Sequence, residues 1–306
     1  MSPYLAGRTY LDREVFSVAR FPFVLLWAVR WLISLAVMLS PCVALAVPAQ
    51  DAPRTVVIGG DIAEILAELK ATNSLVGRDD TVLYPLALEA LPSIGYLRRL
   101  TAESVLSLRP QRLIISADAG PKEVLAQLRA SGVDMVIIPA EKRLEAIPDK
   151  VRKVAAAVGA EARGEALAES LSAQIKALRE LPPLELSGMF LLSHSGMTPM
   201  VAGQDTGGGG IMQAVGIDNA FASLNGYRPV GSEGLVAHQP QVIIATTLGV
   251  QALGGEEGVW KLPGMALTPA GRHQRLLVFD DLPLLDFGPR TPDTLLKLRR
   301  ALDTMQ

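Results

Sequence analysis

The sequence predicts an α/β fold of two Rossmann-like lobes with parallel-type sheets, joined by a single long helix, with a ligand cleft between the lobes. Three observations carry that prediction. Short apolar runs of strand length alternate with amphipathic stretches, the pattern of a parallel sheet covered on both faces. The chain also repeats itself. Gly95-Tyr96-Leu97-Arg98 leads to Glu103, Pro110 and the apolar run Leu113-Ile114-Ile115, and Gly226-Tyr227-Arg228 leads to Glu233, Pro240 and Val242-Ile243-Ile244. Between the two copies lies a segment rich in Ala, Glu, Lys, Arg and Leu that stops at Pro182-Pro183, as a long helix does. Two similar lobes leave a cleft in which a small ligand is held. Residues 54–158 are assigned to the first lobe, 159–182 to the linking helix and 184–306 to the second lobe.

The first 46 residues read differently. Arg13 and Arg20 precede apolar runs that start at Phe21 and Trp31, and Ala44-Leu45-Ala46 supplies small residues at signal-peptidase spacing. A basic flank, an apolar core and a small-residue exit make a secretory signal over residues 1–46. Cys42 is the single cysteine and follows Pro41, a poor neighbour for a lipid-acceptor site, so lipid anchoring is not expected. A chain with one cysteine has no disulfide framework and no cysteine-built zinc site.

Along the exported part, Thr55-Val56-Val57-Ile58 is a buried-type strand. Gly59-Gly60-Asp61 lacks the spacing of a phosphate loop and reads as a tight turn with Asp61 capping a helix over Ile62 to Leu69. An extended, proline-containing stretch runs from Val76 to Ile94. Thr101 caps a helix to Leu108, with Glu103 in its first turn. Strand, helix and strand follow at Leu113–Ser116, Lys122–Ser131 and Met135–Ile138. The linking helix is clearest from Glu165 to Leu181, with a break near Gly159, and acts as a stiff strut. In the second lobe, strands are expected at Gly188–Leu192, Val242–Ala245 and Leu276–Phe279. Gly207 to Gly210 make a flexible start to a helix reaching Val215, and a closing helix runs from Pro292 to Asp303.

At 306 residues the chain has room for two domains, and its net charge of -2 gives no electrostatic case for nucleic acid. No His-Glu-x-x-His pair and no G-x-S-x-G elbow occurs, so no enzyme motif supports a catalytic reading. Tyr96 ends the extended segment at a junction that faces the cleft of a two-lobed α/β protein. A phenol, ordinarily of pKa about 10, ligates a hard ferric centre once ionised, and a cation such as Arg98 two residues on favours that form. A half-buried packing tyrosine explains the same position, and Tyr84, before Pro85, competes for the ligand role. His194 leaves the first strand of the second lobe at the cleft border, where a single histidine is more often structural or solvent-facing. His238 and His273 are read as incidental. Glu103 and Glu233 each complement a helix dipole. As an equivalent pair, one per lobe, they are also suited to gripping basic residues of a two-fold symmetric partner.

From about Arg54 to the end, the chain resembles the periplasmic haem-binding proteins of bacterial haem ABC importers. These lie within the helix-linked substrate-binding proteins that also carry cobalamin and ferric siderophores. The resemblance rests on Val57-Ile-Gly-Gly-Asp61, Leu91-Pro-Ser-Ile-Gly-Tyr-Leu-Arg98, Leu100-Thr-Ala-Glu-Ser104, Leu192-Ser-His-Ser-Gly196, Val201-Ala-Gly203, Gly226-Tyr-Arg-Pro229 and Phe287-Gly-Pro-Arg-Thr291. It implies Tyr96 as haem-iron ligand, with Arg98 bonding the phenolate. His194 matches the ligand of a second haem in members that hold two. Glu103 and Glu233 match the residues that dock onto the permease. Tyr227, Arg228 and Arg290 become secondary haem contacts, with the arginines meeting propionates. The implied protein is a periplasmic monomer that carries haem to an ABC permease and its ATPase. Rival readings keep the role with cobalamin or a ferric siderophore as cargo, or make the chain a secreted enzyme or a sensor module.

Overall fold

The structure, a computed structural model, describes residues 52–305. The signal segment and Cys42 lie outside the described residues. In the first lobe β1 (Thr55–Ile58), β2 (Leu75–Arg78), β3 (Arg112–Ser116) and β4 (Asp134–Ile138) form an all-parallel sheet in the order β2-β1-β3-β4. In the second lobe β5 (Ser187–Leu192), β6 (Met200–Ala202), β7 (Asp218–Asn219), β8 (Tyr227–Pro229), β9 (Val242–Thr246) and β10 (Leu276–Phe279) make a six-stranded sheet. Its order is β10-β9-β5-β6-β8, with β7 alongside β5. The trio β1-β3-β4 has its counterpart in β5-β9-β10, parallel in both lobes. Each copy of the sequence repeat runs through a short helix into the central strand of that trio, β3 or β9.

The expectation of parallel sheets holds for the first lobe, whereas the second sheet is mixed. There β6 runs antiparallel to β5, and β8 antiparallel to β6. The link from Ser193 to Pro199 is too short for a parallel crossover, which takes about a dozen residues, so the chain folds straight back.

Strand side chains alternate between two cores, as a period of two requires. Val57 and Ile114 face one core, while Val56, Ile58, Leu113 and Ile115 face another on the outer side of the first sheet. In the second lobe Phe190, Val242 and Ile244 join the same inner core, and Met189, Leu191 and Ile243 face a third. The inner core is therefore common to both lobes. The helices Ile147–Ala157 and Glu161–Arg179 connect them, packed on each other across a turn where Gly159 has φ +65°. Ala168, Leu171, Ile175 and Leu178, spaced three and four apart, give the second of these helices its buried face. It starts at Glu161, four residues before the expected Glu165, since Ala160 through Gly164 already propagate the turn. No described helix is long and apolar enough to cross a membrane.

Candidate functional site: a cleft at the carboxyl ends of both sheets

The carboxyl ends of parallel strands are where an open α/β sheet leaves backbone groups and side chains free to meet a ligand. Here the two sheets present those ends to one cleft of about 1420 Å³. Its wall includes Gly59 and Gly60 after β1, Ser116 and Asp118 at β3, and Lys142 after β4. Across from them are His194 after β5, Leu248 after β9 and Asp286 after β10. That volume exceeds the roughly 300–1,000 Å³ of an ordinary small-ligand pocket.

Of the residues singled out from the sequence, Tyr96, Arg98, His194 and Tyr227 line this cleft. Tyr96 is 42% exposed, so its hydroxyl is open to a ligand. Arg98 is exposed and its guanidinium is turned to Asp118 at 3.4 Å. His194 is exposed on the opposite lobe. Tyr227, the repeat partner of Tyr96, is held differently. It sits in β8, and its hydroxyl accepts the Gly208 N–H at 3.2 Å at the start of the helix Gly207–Ala214. Burial pushes the Tyr227 phenol above its ordinary pKa, which favours the neutral form. Glu103 and Glu233 lie away from the cleft, exposed in the first turns of Ala102–Ser107 and Ser232–His238.

Of the four glycines from Gly207, Gly208 and Gly209 serve close packing. A Cβ on Gly208 would stand 2.7 Å from both the Phe190 ring and Ala202, so only glycine lets this helix reach β5. Thr206 caps the helix by accepting the Gly209 N–H at 3.0 Å.

Three residues, Arg228, Arg290 and Asp61, stand elsewhere than the sequence reading put them. Arg228 is exposed in β8 and outside the cleft wall. Arg290 also lies outside it, because the buried Glu64 carboxylate needs a counter-charge: Nε of Arg290 donates to Glu64 Oε1 at 2.9 Å. The same guanidinium stacks 4.0 Å over the Tyr84 ring, which puts Tyr84 in a packing role away from the cleft wall. Asp61 does not cap its helix, whose cap position is Gly59. It pairs instead with the buried Lys150, whose ammonium also donates to the carbonyls of Asp286 and Phe287, each at 3.1 Å. Asp61, Glu64 and Lys150 of the first lobe thus meet Asp286, Phe287 and Arg290 of the second in a charged junction that reaches the cleft wall at Asp61 and Asp286. Burial raises the Glu64 and Asp286 carboxyls above the ordinary carboxylate range in spite of Arg290 and Lys142.

Residues 56–282 match the periplasmic binding protein family. The chain belongs to that family. Among solved structures, it is 39% identical to the periplasmic heme-binding protein RhuT from Roseiflexus sp. RS-1, with a TM-score of 0.78, covering 83% of this chain and 100% of that one. BhuT, solved in complex with two hemes, is 34% identical with a TM-score of 0.76, covering 83% and 98%. HutB of Vibrio cholerae, a periplasmic heme-binding protein, is 30% identical with a TM-score of 0.73, covering 81% and 98%. No curated protein sequence matches the chain.

Sequence reasoning missed Lys142, Asp118 and Asp286, which sit together on the cleft wall. Asp118 and Lys142 lie two and four residues past the ends of β3 and β4, and that position was the available signal.

Proposed function

We propose that this periplasmic binding protein captures ferric haem as cargo in the interlobe cleft and delivers it to an ABC permease served by its ATPase. The observation that carries this reading is Tyr96, open in the cleft two residues from Arg98, in a fold that matches heme-binding relatives over 83% of this chain. The Tyr96 phenolate ligates the iron, Arg98 leaves Asp118 to bond the phenolate oxygen, and apolar wall residues such as Leu83 and Leu248 cover the porphyrin. His194 on the facing lobe is the candidate ligand for a second haem in the same cleft. Glu103 and Glu233, one on each lobe, dock onto the two permease subunits. The signal segment places the protein in the periplasm, where it acts as a monomer.

Carboxylates outnumber permanent cations on the cleft wall. Asp61, Asp80, Asp118, Asp205, Asp218 and Asp286 are among the former, against Arg98, Lys142 and Arg143. Hemin titration of the protein beside Tyr96→Phe tests the reading. Saturable binding with a tyrosinate charge-transfer band, lost in the variant, is the expected result, and the endpoint reports the stoichiometry. A native protein that shows no saturation refutes haem as cargo.

A further inference from the structure

Lys142 is the one side chain on the cleft wall that holds a carboxylate of each lobe. It leaves the loop after β4, and its ammonium lies 3.8 Å from Asp118 in the first lobe and 3.4 Å from Asp286 in the second. Its side chain is 33% exposed, so the stem is largely covered while the ammonium still borders the cleft. The other cations of the wall are placed differently. Arg98 is 61% exposed at the rim beside Tyr96, and Arg143 is 62% exposed and engaged by Glu141. These three are the permanent cations on the wall to which a cargo carboxylate could bond. Of the three, Lys142 is the least exposed and the one paired with a carboxylate from each lobe.

We propose that Lys142 is the specificity-determining residue that recognises a carboxylate of the cargo, exchanging the Asp118–Lys142–Asp286 bridge for a charge-assisted bond to it. This rests on the reading of haem as cargo and adds what that reading lacks, a donor for the propionates, since Arg228 and Arg290 stand outside the cleft. An ammonium bonded to a carboxylate favours the acid-bearing ligand over its ester. Asp118 and Asp286 compete for the same cation, so the gain is at the lower end for charge-assisted bonds, about tenfold in affinity.

The test compares hemin with hemin dimethyl ester on the native protein, Lys142→Met and Lys142→Arg, each first shown to melt cooperatively. The native protein should prefer hemin about tenfold. Lys142→Met should bind the ester as the native protein does and lose most of the preference, with the tyrosinate band unchanged. Lys142→Arg should restore the preference. A Lys142→Met variant that keeps the tenfold preference, or that loses affinity for both ligands equally, overturns the assignment while leaving haem as cargo. Absence of saturable hemin binding by the native protein removes the cargo reading and this inference together.

Discussion

Lys150→Met tests the charged junction most directly. In the native protein the Lys150 side chain is 2% exposed and that of Asp61 8%, and the ammonium also serves the Asp286 and Phe287 carbonyls. Methionine fills a similar volume but leaves the Asp61 carboxylate buried without its cation, a change that costs about 3–5 kcal/mol. Adding Asp61→Asn removes the stranded charge and should recover most of the loss. Urea unfolding of the mature protein at pH 7, followed by circular dichroism, reads both changes. A penalty below about 1 kcal/mol, or one that Asp61→Asn does not relieve, would refute the reasoning from a buried, unpaired carboxylate.

Gly60→Ala should lower the melting temperature by about 5 °C, from a penalty of about 1–3 kcal/mol for overpacking. Its Cβ would stand 2.2 Å from a Leu282 methyl and 2.5 Å from the Thr81 carbonyl oxygen, and the latter, being backbone, cannot move aside. Asp79→Asn should flatten the dependence of stability on pH. Burial raises the native Asp79 carboxyl despite hydrogen bonds from the Gly59 and Thr81 N–H groups. A raised carboxyl contributes stability below its unfolded value of about 3.9 and loses that contribution as pH rises through the folded value. Urea midpoints from pH 4 to 8 should therefore decline less in the variant than in the native protein.

The parts of this fold that could be read from the sequence are those whose signal is local. β3, β5 and β9 are buried on both faces and appear as unbroken apolar runs, and the linking helix shows in its Leu and Ile spacing. β6 and β8 escaped because three residues each are too few for a period to show. The repeat predicted where Tyr96 and Tyr227 stand in the chain but not that their environments differ. One is open to the cleft, and the other is tied to the Gly208 N–H, a contact made by a separate helix. The junction was the least legible. Lys150 sits in Ile147–Ala157 among charges that read as a solvated face, and its partner Asp61 lies 89 positions away. Glu64 and Arg290 are 226 positions apart, so nothing local distinguishes that arginine from a ligand-binding one.

The same junction constrains how the cleft can work. A carrier that closes by wide hinge bending needs lobes with separate cores, whereas here one core runs from the first sheet through Leu171, Ile175 and Leu178 into the second. Separating the lobes would expose that apolar surface at about 25 cal/mol per Å² and part Glu64 from Arg290. The cleft is then largely shaped before cargo arrives. Release needs a partner that binds the separated state better than the joined one. Reversing a 1:99 population takes about 5.5 kcal/mol, similar to the roughly 3–5 kcal/mol lost when one member of a buried ion pair is stripped of its partner. Docking at two points, one per lobe, would apply that free energy across the junction. We propose that Glu103 and Glu233, exposed on separate lobes, are those two points.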